Sequence, residues 1–161
     1  MSRTGDRIKN AIGSALGLGL SPVAPGSFGA LLGVLYTIAA FTLLGVEARV
    51  YAIAAGLLAV AAANHWLTPW AVDYWKDEDP RHFVLDEVAG YLVVPLLLPQ
   101  ASLWQVGLWG FLLFRVFDVV KIPPARQIDR HWHGPWGILM DDLVSGAYAA
   151  AALYAYRAWA L

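Results

Sequence analysis

The sequence predicts an all-α protein that crosses a membrane as a polytopic helix bundle. Two observations carry that prediction. The chain is 59% apolar and only 14% charged, with a mean hydropathy of +0.55, whereas a soluble domain is nearer a quarter charged. Its apolar residues also gather into runs close to the roughly 20 residues that a bilayer-crossing helix needs. The 161 residues allow a single membrane domain, residues 1–161, and no appended soluble module.

The elements follow in chain order. Residues 8–24 are too short and too rich in Gly and Pro to cross, so they read as a re-entrant or interfacial segment. Residues 27–46 form a first span without charge, and residues 50–67 a second, joined by a tight turn over 45–49. The third run, 88–99, is short. Extended back through Phe83, Val84 and Leu85 it becomes a thin span with Asp86 and Glu87 in its first turns. Residues 103–119 form the fourth span and 138–161 the fifth, giving about five transmembrane helices. Trp66, Trp70, Trp75, Trp132 and Trp136 suit one interfacial aromatic belt, and Trp104 and Trp159 the other.

Five crossings separate the termini and sort the charges. Nine basic residues fall on the N-terminal side and two, Arg49 and Arg157, on the other. The positive-inside rule then puts the N-terminus in the cytoplasm. Eleven of the twelve acids share that side, and only Glu47 lies opposite. With a net charge of −1, no nucleic-acid surface is expected. Without Cys there is no disulfide, thiolate metal site or cysteine nucleophile.

Acids at membrane depth are costly and are functional candidates by default. Asp86 and Glu87 begin the third span, Asp118 ends the fourth, and Asp141 and Asp142 begin the fifth. Oxygen donors of this kind suit Mg²⁺, with Mn²⁺ as a substitute. The leading metal ligands are Asp86, Glu87, Asp118 and Asp142, with Asp141 close behind. Arg115, Asp118 and Lys121 are spaced three apart and form one helical stripe. Arg115 and Lys121 are therefore candidates to hold a phosphate beside the metal. Arg126 and Arg130 in the next loop can add phosphate contacts, and His131 or His133 can act as general acid. Ser27 belongs to residues 21–29, whose glycines and helix start favour an anion. Plainer readings exist for each feature. Adjacent acids often cap helices, Arg115 and Asp118 can be a private ion pair, and Asp77, Glu78 and Asp79 read as solvated loop charge. Asn64 and His65 read as hydrogen-bonding groups between helices.

Four stretches carry a family resemblance: residues 21–29 (SPVAPGSFG), 86–90 (DEVAG), 114–121 (FRVFDVVK) with Pro123, and 137–146 (GILMDDLVSG). In this order and spacing they resemble the bacterial phosphatidylglycerophosphatase A family across nearly the whole chain. Ile122 before Pro123, and Gly134-Pro135 ahead of the last motif, depart from the family pattern and leave every acid in place. The resemblance implies a Mg²⁺-dependent phosphatase of the bacterial inner membrane, converting phosphatidylglycerophosphate to phosphatidylglycerol and phosphate. The expected partners are then a phospholipid substrate and the bilayer, with the site cytoplasmic. Oligomeric state and the choice between water and an Asp as nucleophile stay open. The rival reading is a small ion-coupled transporter using the same acids, against which the outer halves of the spans are almost free of ionisable groups.

Overall fold

The structure, a computed structural model, describes residues 3–160. Among them are seven α-helices and no strand. The amphipathic α1 (Arg3–Gly13) is followed by a 3₁₀ turn (Leu18–Leu20), α2 (Pro25–Leu43) and α3 (Val46–Trp75). After α4 (Leu85–Leu97) comes a π-helical stretch (Gln105–Gly110) that runs directly into α5 (Phe111–Val120). A short α6 (Ala125–His131) leads to α7 (Gly134–Ala160).

Three helices are long and apolar enough to cross a membrane: Pro25–Leu43, Val46–Trp75 and Gly134–Trp159. They take the places of the first, second and fifth expected spans. The second runs past its expected end to Trp75, carrying an aromatic group in which Trp70 stacks on Tyr74 and Trp75 meets both edge-on.

The third expected span is a different object. At 13 residues α4 is about 20 Å long, against about 30 Å of hydrocarbon. Nine of its residues, Asp86 among them, are buried, because α2, α3 and α7 pack around it. An apolar run without a polar face is here the mark of a helix enclosed by protein. The fourth expected span starts with a reciprocal cap. The Ser102 amide donates to Gln105 Oε1 (3.0 Å) and the Gln105 amide to Ser102 Oγ (3.2 Å). Its first turns are π-helical, and there the buried Tyr91 hydroxyl donates to the Val106 carbonyl (3.2 Å).

Small residues set the helix spacing, as is usual where lipid gives no hydrophobic drive between helices. A Cβ on Gly90 of α4 would lie 2.7 Å from the Asp142 carbonyl oxygen and 2.7 Å from Phe114 Cε2. Opposite it, a Cβ on Gly146 of α7 would strike the Gly90 carbonyl. Gly90 follows Asp86 by four residues, and Gly146 follows Asp142 by four. Residues four apart share a helix face, so the crossing that needs these glycines also brings Asp86 to Asp142. On the other side of α4, Gly29 lies against Val84 and Gly33 against Tyr91.

Candidate active site

The start of α4, the end of α5 and the start of α7 meet at one end of the bundle around a cavity of about 720 Å³. Asp86, Glu87, Asp118, Lys121, Asp141 and Asp142 all line it. Within it, carboxylate oxygens of Asp86, Glu87 and Asp142 lie within 4.8 Å of one another. Asp86 is 8% exposed and Asp142 3%. Asp86 Oδ1, Glu87 Oε2 and Asp142 Oδ2 are buried without a hydrogen-bond partner. Three like charges this close and this dry repel one another, and unpaired buried carboxylates are rare in native proteins. A divalent cation would remove both costs, so the three carboxylates could hold a metal ion.

The two adjacent acid pairs behave differently. Neighbouring positions on a helix diverge by about 100°. Asp142 turns to the three-carboxylate group, while Asp141 Oδ2 meets Lys121 Nζ at 2.6 Å. Asp86 and Glu87 both reach the group, Glu87 with its extra methylene. Its carboxylate lies over Gly26 in the first turn of α2, where a side chain would collide with Oε1.

Two of the cations are already paired. Arg115 Nη1 meets Asp118 Oδ2 at 2.5 Å, largely out of solvent. Lys121 binds Asp129 (2.5 Å) as well as Asp141. Burial alone would lower the Lys121 ammonium, but these two bonds outweigh it and hold it charged. Lys121 ends α5 in the left-handed region, φ 48°, a conformation uncommon outside Gly and frequent at functional sites. Replacing Lys121 by Met is expected to destabilise the fold by about 3 kcal/mol, since Asp141 is left buried without its cation. Thermal unfolding checks this, and adding Asp141→Asn should recover most of the loss.

Other expected residues stand elsewhere. Asp118 lines the cavity but lies outside the three-carboxylate group, its carboxylate held by Arg115. Arg115 is not in the cavity wall and reaches it only through its pairing with Asp118. His133 lines the cavity. His131 does not, and its Nδ1 lies 2.8 Å from the Gln127 carbonyl oxygen. Arg126 and Arg130 are exposed on α6 and do not line the cavity, and neither does Ser27. Asn64 is fully buried and its Nδ2 donates to the Pro135 carbonyl (3.3 Å), fastening the first turn of α7 to α3.

The loop before α4 contributes what sequence reading set aside. Glu78, Asp79 and Arg81 line the cavity. Among the described residues Arg81 forms no salt bridge; its Nε lies 3.4 Å from His82 Nε2. The available signal was distance along the chain, because Asp79 precedes Asp86 by only seven residues.

Membrane-length helices that close an acid-lined, lysine-bearing cavity at one end have the make-up expected of a membrane protein with a polar site for a charged ligand. Comparison with known proteins agrees. A family model described as phosphatidylglycerophosphatase A matches residues 11–157, and the chain belongs to that family. Like it, the chain is a phosphoric monoester hydrolase. It is 35% identical over 139 residues to a putative phosphatidylinositol-3-phosphatase of Bacteroides thetaiotaomicron, covering 86% of each chain. It is 32% identical over 145 residues to phosphatidylglycerophosphatase A of Haemophilus influenzae, covering 90% of this chain and 86% of the other. With the Escherichia coli phosphatidylglycerophosphatase A it shares 31% over 138 residues, 86% of this chain and 77% of the other. No solved structure matches.

Proposed function

We propose that the protein hydrolyses the phosphate monoester of phosphatidylglycerophosphate at the cytoplasmic face of the membrane, releasing phosphatidylglycerol and inorganic phosphate. The observation that supports this most is the convergence of Asp86, Glu87 and Asp142 beside Lys121 in one cavity, in a chain with these relatives. The three carboxylates would hold Mg²⁺, which supplies Lewis-acid polarisation of a phosphate oxygen when bound. Lys121 exchanges one of its carboxylate partners for a substrate phosphate oxygen and stabilises the charge that develops on it. Arg115 offsets negative charge through its pairing with Asp118. His133, in the cavity wall, is placed to return a proton to the leaving glycerol oxygen. Arg81 has no carboxylate partner among the described residues and joins Lys121 as a phosphate-binding cation.

The test is phosphate release by the purified, reconstituted protein. Release from phosphatidylglycerophosphate should stop after treatment with a chelator and return with Mg²⁺, and with Mn²⁺ as a substitute. Activity indifferent to the chelator would remove the metal from the proposal. Phosphatidylinositol 3-phosphate hydrolysed in preference would move the substrate to the headgroup named in the Bacteroides relative. The proposed sidedness is open to labelling. Since the chain has no Cys, Arg130→Cys should react with an impermeant reagent only from the cytoplasmic side. The transport alternative finds no support in the relatives.

A further inference from the structure

Residues 13–19 are clamped onto the segment that leads into α4. The Val84 amide donates to the Gly13 carbonyl (3.0 Å), and His82 Nδ1 lies 2.8 Å from the Gly19 carbonyl oxygen. Both glycines are buried against this segment. A Cβ on Gly13 would lie 2.9 Å from Phe83 Cδ2, and one on Gly19 would lie 2.7 Å from Val84 Cγ2. The clamped stretch sits between Arg81 in the cavity wall and Asp86 in the carboxylate group. Whatever holds α1 therefore holds one wall of the site.

The outer side of α1 is apolar with a basic flank. Ile8 and Ile12, one turn apart, are 57% and 43% exposed. Exposed Leu16, Leu20 and Val23 continue the apolar surface beyond the helix. Arg7 is exposed beside the stripe. Lys9 Nζ stands 5.9 Å from the centre of the Trp70 ring. The one acid of α1, Asp6, accepts a hydrogen bond from Trp70 Nε1 (3.0 Å). The neighbouring end of α3 carries Trp66, Trp70, Tyr74 and Trp75, residue types that settle at headgroup depth. An apolar stripe with basic residues beside it, next to an aromatic belt, is complementary to an anionic lipid surface.

We propose that α1 docks on the anionic lipid surface of the bilayer and that this docking, passed through Gly13 and Gly19 to residues 82–84, steadies the cavity wall for turnover. An undocked α1 leaves the Val84 amide free to open locally. Only the activity arm of the test rests on the phosphatase reading above.

The full chain is reconstituted in phosphatidylcholine bilayers, in phosphatidylcholine bilayers containing phosphatidylglycerol, and in neutral detergent micelles. Hydrogen exchange at Val84 and phosphate release are read in each. Wild-type Val84 should exchange at least about tenfold more slowly in the anionic bilayer than in micelles. The Ile8→Ser/Ile12→Ser variant should lose that protection and about nine-tenths of its bilayer activity, with near wild-type release in micelles. The Arg7→Gln/Lys9→Gln variant should lose the difference between the two bilayers. Wild-type protection and bilayer activity in the serine variant would overturn the proposal. So would protection that follows protein concentration in micelles, which would assign the face to a second copy of the chain. Absent release with the exchange pattern intact supports docking and counts only against the substrate.

Discussion

Asp142→Asn should lower phosphate release by at least about a thousandfold, because it removes a carboxylate from the only three-acid group found among the described residues. The same substitution should raise the unfolding temperature of the chelator-treated protein. Asp142 is 3% exposed and faces two other carboxylates within 4.8 Å. A neutral amide relieves that repulsion at nearly constant volume. Opposite signs for activity and stability are the expected signature of a group kept for function. Asp73→Asn is the control: Asp73 is exposed and pairs with Lys76 on the surface (2.5 Å), where such pairs are worth little. It should leave both readings unchanged. If Asp142→Asn instead destabilises the metal-free protein, the carboxylate is structural and the proposed metal site loses a ligand.

The second large effect concerns a glycine. Gly146→Leu should cost at least about 3 kcal/mol of stability and remove activity, because overpacked contacts cannot relax where the obstacle is backbone. The Gly90 carbonyl occupies the place of the new Cβ, so α4 and α7 must separate. Separation moves Asp86 away from Asp142. Gly146→Ala should be milder but ordered the same way. Thermal unfolding and phosphate release should fall together in this series, in contrast to Asp142→Asn, and chelation should matter progressively less as the carboxylates part. Full activity in Gly146→Leu would show that the carboxylates do not need this crossing.

How much was legible in the sequence differs by feature. The acids at the helix ends were legible because charge in an apolar run is conspicuous. The pairing of Arg115 with Asp118 follows from their spacing of three and was foreseen as the plainer alternative. The enclosure of α4 was not legible. A buried helix and a membrane span both read as unbroken apolar runs, and only length separates them. The place of Glu78, Asp79 and Arg81 in the cavity wall was not legible for a related reason. Asp77, Glu78 and Asp79 read as solvated loop charge and are exposed, whereas the place of Glu78 and Asp79 at the cavity depends on how the chain re-enters the bundle at residues 82–84. Arg126, Arg130 and Ser27 do not line the cavity, since nearness along the chain to a site residue does not turn a side chain towards the site.

The sequence by itself determined the all-helical membrane class, the apolar runs of about five expected spans, three of which are helices long enough to cross, the sorting of acids to one end, and the family. The class and the apolar runs follow from composition and periodicity, which are local, and the family from four motifs in their order and spacing. Tertiary structure alone decided which carboxylates meet. Asp142 joins Asp86 and Glu87 while its neighbour Asp141 turns to Lys121, because the α4–α7 crossing at Gly90 and Gly146 sets the rotation of each helix about its axis. No one-dimensional pattern encodes that rotation; it is settled by which backbones can touch.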